Sequence, residues 1–285
     1  MLAIIGILVV LGSVVGGFLM AKGKLLVLYQ PPEFVVIGGA ALGTMLIANP
    51  LPIMISMMKG SVRVFGGTRY NKAFYLENLK MLNDLFAYAR KNSLAKLEPD
   101  VEEPEKSQLF AKFPKFVKDH HALHFVCDTL RMMISGGVHT HDLNEMMELD
   151  MEVHHHESEA PISALTSMAD ALPGLGIVAA VLGIVVTMGA LGGPPEMIGH
   201  KVAAALVGTF LGILMCYGFF GPLASHMSKL NNKDAQYYHC LRVGLMSYAK
   251  GCPPIVAVEF ARRTIPAEYR PSFKEMEKTC KGGGA

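Results

Sequence analysis

The chain has 285 residues, 51% apolar and only 18% charged, with a mean hydropathy of +0.34 and a formal net charge of +2. Soluble domains are less apolar and carry more charge, and a chain this close to neutral lacks the basic field that a phosphate backbone demands. An ordinary soluble enzyme and a nucleic-acid binder are both disfavoured. The five cysteines are odd in number and widely spaced, with no C-x-x-C pair, so neither a disulfide framework nor a structural zinc site is indicated.

Residues 2–21 form an apolar run without an ionisable side chain, about the 20 residues that cross a bilayer. Lys22 and Lys24 follow this run rather than precede it, which argues for a retained span over a cleaved leader. A short link through Tyr29, Pro31, Pro32 and Glu33 leads to a second run, expected as one span over 34–57, with Gly38-Gly39 and Gly43 for close helix contact. Together they predict a first membrane hairpin over 1–57.

From 58 to 170 the composition turns charged and amphipathic. Phe74, Leu76, Leu79, Leu82, Leu85, Phe86 and Ala89 recur at helical spacing with Lys80, Asp84 and Arg90 between them. Gly-Gly pairs at 66–67 and 136–137 and prolines at 99, 104, 114 and 161 punctuate this helical domain. Asp142, Glu145, Glu148, Asp150, Glu152, Glu157 and Glu159, with Asp170 beyond, read as a solvated acidic helix face. A third run (171–193) and a fourth (202–225) again lack ionisable groups and form a second hairpin over 171–225. Residues 226–285 are a helical segment and a tail ending in Gly-Gly-Gly. The fold class expected is all-α: an integral membrane protein with four transmembrane helices in two hairpins and a helical cytoplasmic domain. Of the 26 basic residues, 13 lie between Lys59 and Arg131 and 10 between Lys229 and Lys281. Within about 20 residues of the spans, six (Lys59, Arg63, Arg69, Lys229, Lys233 and Arg242) lie on the side of these blocks and three (Lys22, Lys24 and Lys201) on the other, a bias that places the charged blocks and both termini in the cytoplasm.

A charged group inside hydrocarbon is costly enough to mark an ion pathway, and on these boundaries none of the four spans has one. They contain instead Ser13, Thr187, Thr209 and Tyr217, prolines at 173 and 222, and many glycines. Proline frees a backbone carbonyl within a span. If protons pass here, the titrating carboxylate must come from a second polypeptide packed on the third and fourth spans. The plainer reading is tight helix packing through small residues.

The histidines invite a metal hypothesis, since His120, His121 and His124 cluster, His139 and His141 follow, and His154, His155 and His156 are consecutive. No H-E-x-x-H is present, however, nor any phosphate loop or nucleophile elbow. A solvated or packing role is favoured, with no metal and no cofactor expected.

Three stretches carry a resemblance. Leu172-Pro173-Gly-Leu-Gly-Ile-Val-Ala-Ala180-Val-Leu-Gly, Val207-Gly-Thr209-Phe-Leu-Gly-Ile-Leu-Met-Cys-Tyr217-Gly-Phe-Phe-Gly-Pro222-Leu-Ala and Ala257-Val-Glu-Phe-Ala-Arg-Arg resemble the MotA family of flagellar stator subunits, within the wider MotA/TolQ/ExbB proton channel group. The likeness runs from the opening span, through Tyr29-Gln-Pro and Ile37-Gly-Gly, to Arg270-Pro-Ser-Phe.

The resemblance implies a non-enzymatic subunit of the bacterial inner membrane, five copies of which surround two MotB chains. MotB supplies the membrane aspartate, and proton flow becomes torque on the rotor protein FliG. Pro173 and Pro222 match the prolines facing that aspartate, while Thr209 and Tyr217 match residues along the same route. Ala180 stands where sodium-driven relatives carry threonine, which implies H+ rather than Na+. Arg90 and Glu98 match the charges that engage FliG. If their helix is continuous they lie about 12 Å apart along one face, with the helix ending at Pro99. Asp150 joins the same acidic surface.

The nearest alternative is an ExbB/TolQ-like energiser of envelope processes, which has three spans. A histidine-based membrane metalloenzyme and a pure scaffold are the more distant ones.

Overall fold

The computed structural model describes residues 2–189, 192 and 194–282, and no strand occurs among them. In chain order the helices are α1 (Leu2–Met20), α2 (Pro31–Ala48), α3 (Leu51–Gly66), α4 (Lys72–Asn92), α5 (Glu98–Glu102), α6 (Pro114–Val117), α7 (His120–Ser135), α8 (Thr140–Met188), α9 (Pro195–Leu214), α10 (Gly221–Ala249), α11 (Pro254–Thr264) and α12 (Phe273–Cys280). Between α9 and α10 the backbone continues through a π-helical turn, Met215–Phe220.

Two compact units emerge, Met1–Gly67 with Glu157–Leu230, and Thr68–His156 with Asn231–Ala285. Their borders differ from the 57, 170 and 225 expected from composition, because α3, α8 and α10 continue as helix beyond the ends of the apolar runs. The expected end of the third run, at 190–193, falls partly outside the described residues.

Among the described residues, four helical segments are long and apolar enough to cross a membrane: Leu2–Met20, Leu25–Ala48, Thr140–Met188 and Pro195–Ala249. The second needs correction. It does not run from 34 to 57 but begins at Pro31 and stops at Ala48, with α3 as a separate helix. Pro31 and Pro32 occupy the first helical positions, where a missing N–H costs nothing. Pro50 then drives Asn49 into extended backbone (φ −132°, ψ 140°), and the helix ends. Glu33, read from sequence as part of a link, therefore lies inside the span.

On α2 the buried residues are Glu33, Ile37, Ala41 and Met45. A spacing of four places them in one stripe, and this stripe packs on α9. The remaining core of this unit is Met, Ala, Leu and Val with Cys216, including Leu165, Ala169, Leu172, Ala179 and Val207. By contrast α1 has no fully buried residue; Ala3, Ile7 and Val10 are half-buried on one side and much of the rest of its apolar surface is open.

The second unit is a water-type core. Leu79, Met81, Leu82, Leu85 and Phe86 of α4 are fully buried together with Tyr237, Leu241 and Leu245 of α10 and Ala257, Val258 and Ala261 of α11. Phe86 stacks on Tyr248 with ring centres 4.3 Å apart. The Tyr70 hydroxyl donates to Asp234, Tyr237 donates to Asn78 at 2.6 Å, and Arg69 pairs with Asp119 at 2.8 Å. Both glycine pairs behave as punctuation: Gly67 ends α3 at φ +79° and Gly136 ends α7 at φ +70°.

Candidate functional site

Helices α8 and α9 of the membrane unit meet in a close seam lined by glycines. A Cβ on Gly212 would stand 2.5 Å from the Leu172 carbonyl oxygen, one on Gly176 would stand 2.8 Å from that of Gly208, and one on Gly183 would stand 2.7 Å from the Ala205 methyl. The glycines thus serve tight packing, as small residues do between membrane helices. Pro173 sits inside α8, half-buried, immediately after the Leu172 carbonyl that rests on Gly212. Ala180 is buried, and the Thr187 hydroxyl donates to the Gly183 carbonyl of its own helix at 2.8 Å.

Thr209 and Tyr217 face outward instead. They share an open groove of about 600 Å³ whose other walls are Leu206, Phe210 and Ile213. Tyr217 is 72% exposed. A second, smaller recess of about 220 Å³ continues from Tyr217 to Pro222 and His226, with Gly6 and Val10 of α1 opposite. The turn at Met215–Phe220 sets this arrangement. Pro222 has no N–H to give the helix, and the Gly221 N–H bonds five residues back to Cys216, where a Cβ would lie 2.9 Å from that oxygen. Among the five positions singled out in the membrane unit, Tyr217 lines both recesses, with Thr209 in one and Pro222 in the other, whereas Ala180 is buried and Pro173 half-buried within α8.

Neither groove is lined by a carboxylate. The membrane unit nevertheless buries one. Glu33 is 7% exposed, its side chain lying against Gly208 and Gly183, so the premise that no span carries an ionisable group fails at this residue. A sequence signal was available, namely the stripe Glu33, Ile37, Ala41, Met45 behind a Pro-Pro helix start.

In the second unit, Arg90 and Glu98 are both exposed but do not share a helix. Helix α4 stops at Asn92, Ser93 takes φ +77°, a short 3₁₀ turn follows, and Glu98 opens α5. Pro99 starts that helix rather than ending the previous one. The expected face of about 12 Å therefore does not exist. Asp150 is exposed on α8. Partial desolvation and the nearby Asp128 carboxylate raise its pKa, while His154 and His121 oppose the shift. Those two imidazoles meet edge to face at 5.0 Å, and His154 lies 4.8 Å from the Tyr238 ring. Among the described residues no three His, Cys, Asp or Glu side chains are grouped to hold a metal ion.

The chain is 40% identical to Motility protein A of Escherichia coli (strain K12) over 98% of its own length and 94% of that protein. It is 36% identical to Chemotaxis protein LafT of Vibrio parahaemolyticus, with 96% of each covered. Residues 4–93 match the Motility protein A N-terminal family and 118–239 the MotA/TolQ/ExbB proton channel family. The chain belongs to the motility protein A family.

It is thus a multi-pass membrane protein of a proton channel family, not of a known enzyme family. Its four candidate spans and full-length match favour the motor branch over the ExbB/TolQ alternative. Two solved structures share the fold. They are MotAB of C. jejuni (TM-score 0.77, 18% identity, 95% of this chain and 98% of that one) and the flagellar MotAB stator complex from Bacillus subtilis (TM-score 0.74, 20% identity, 93% and 96%).

Proposed function

We propose that this chain is the stator subunit of a bacterial flagellar motor, which conducts protons together with MotB and turns that flow into torque on the rotor. The open groove beside Thr209 and Tyr217 carries the reading: it is apolar, it lacks a carboxylate, and it is open to a partner that brings one. A membrane aspartate on a MotB helix would find hydroxyls at Thr209 and Tyr217 and, beyond them, the π turn beside Pro222. Protonation removes its charge, and the neutral acid prefers the apolar walls while the ionised one seeks the hydroxyls. Pro173, directly after the carbonyl on Gly212, is the position through which a change at the seam reaches α8. Ala180 offers a methyl and no oxygen ligand, which favours H+ over Na+.

Five such subunits around two MotB chains, in the inner membrane with lipid outside the ring and both termini cytoplasmic, form the working assembly. Neither nucleic acid nor a cofactor is part of it. Arg90, Glu98 and Asp150 are exposed charges suited to steering FliG into repeated, releasable contact.

The test is proton flux and swimming in cells expressing this chain with its MotB. Pro222→Ala or Thr209→Val should lower both while the protein accumulates normally. Unchanged torque in both variants would remove the groove from the pathway.

A further inference from the structure

Glu33 is, among the described residues, the only charged-type side chain buried in the membrane unit. Its Oε2 is fully buried with no hydrogen-bond partner there. The helix start offers it nothing. Pro31 and Pro32 have no N–H, and the N–H groups of Glu33 and Phe34 are both already bonded to the Gln30 carbonyl, at 3.1 and 3.4 Å. The dipole that ordinarily welcomes an anion in the first turn therefore arrives without its donors.

Across from it the space is made by glycine. A Cβ on Gly208 would lie 2.3 Å from Oε2, and one on Gly183 would lie 3.6 Å from Oε1, so the carboxyl rests on bare backbone of α9 and α8. Titratable groups on the packed elements stand off. In α8 none occurs between Asp170 and Met188. Glu196, His200 and Lys201 lie at the start of α9, with Lys201 seven residues, about 10 Å, before Gly208. These three line an open pocket of about 760 Å³ together with Lys24 and Gln30. Its inner wall comes close: Gln30 is one helical turn from Glu33, and Ala204 is one turn from Gly208.

An unpartnered carboxylate in such a setting is costly, whereas the neutral acid is tolerated. The geometry points to Glu33 as a proton-binding site of this chain, loaded and unloaded through the pocket beside Gln30 and Lys201, whose neutral form packs α2 onto the α8–α9 seam. On loading, hydronium in the pocket forms an O–H bond to the carboxylate and leaves as water; on unloading the reverse occurs. Because the packed state binds the proton and a loosened, hydrated Glu33 does not, rising pH strips the proton and weakens the packing. The site stands on the membrane unit's geometry and is independent of ion conduction, so a non-conducting chain would still show it.

Infrared difference spectroscopy on the full-length chain reconstituted with MotB tests it. Wild type should show a protonated-carboxyl carbonyl band at neutral pH that shifts in D₂O and disappears on alkalinisation. Glu33→Gln should lack the band, and Glu33→Asp should move it. In the same sample the thermal midpoint of wild type should fall as pH rises, and that of Glu33→Gln should stay flat over the range where the band titrates. A carboxylate band in place of the acid band, or an acid band unmoved by Glu33→Asp, overturns the site. If Glu33→Gln does not accumulate, the wild-type titration and the Asp variant decide alone.

Discussion

The two units reach a buried core by opposite means. In the membrane unit main chains approach closely at Gly176 and Gly212, while Gly183 and Gly208 leave room for the Ala205 methyl and the Glu33 carboxyl. In the other, the core is aromatic and hydrogen-bonded, with Tyr70, Tyr75 and Tyr237 among its largest fully buried side chains. The difference follows from the solvent. Burial of large apolar groups drives folding in water, but lipid is as apolar as leucine, and helices there gain only by approaching closely enough for dispersion and backbone contact.

Variants that add or remove one group at each core would test this contrast. The largest expected loss is Tyr237→Ala, about 3–5 kcal/mol by analogy with other buried aromatic truncations, since the ring is fully buried and its hydroxyl donates to Asn78. Chemical denaturation of detergent-solubilised protein measures it. Gly212→Ala should cost about 1–3 kcal/mol as overpacking, because the added methyl meets backbone at 2.5 and 2.9 Å. Gly43→Ala, with nothing within 4 Å, is its silent control. A Gly212→Ala protein as stable as the Gly43 control would mean that the seam is not close-packed.

Ser272→Ala removes the capping box of α12 and should cost about 1 kcal/mol. Its partner Glu275 is held at a pKa of about 2, first by Lys72 and then by Ser272, from an ordinary 4.5. A depressed carboxylate stabilises above its unfolded value and loses that contribution as pH falls from 4.5 toward 2, so Glu275→Gln should flatten the acid limb of a pH–stability curve. The smallest effect is expected from Arg90→Ala and Glu98→Ala, within about 0.5 kcal/mol in stability, as both are exposed. Swimming speed, not unfolding, is the measurement that should respond. In thiol chemistry, burial pushes Cys127 and Cys240 up to about 12, so neither should react with maleimide until the second unit unfolds.

The helical class and the four spans were legible because an apolar run of bilayer length, free of charge, has nowhere to be buried at full length except in lipid. Thr209, Tyr217 and Pro222 could be marked only from their resemblance; in the structure Tyr217 lines the recess of Thr209 and that of Pro222. Less legible was Glu33, since Pro-Pro followed by an acid reads equally as a link or as a helix start, and only its four-residue spacing to Ile37 decides. The separation of Arg90 from Glu98 was hidden for a different reason. Nothing in Lys91-Asn92-Ser93 forbids a helix, and the break shows only in the positive φ that Ser93 adopts.

The π turn at Met215–Phe220 holds one residue more than an α-helix would need to join the same two ends. That surplus is slack in length. Deleting one residue within it should let the turn relax to α while the residues on both sides keep their present directions. The same deletion in the span of α8 has no slack to draw on and would turn every side chain beyond it by about 100°. Of the two spans that face each other across the glycine seam, one can therefore lose a residue and keep its register, and the other cannot.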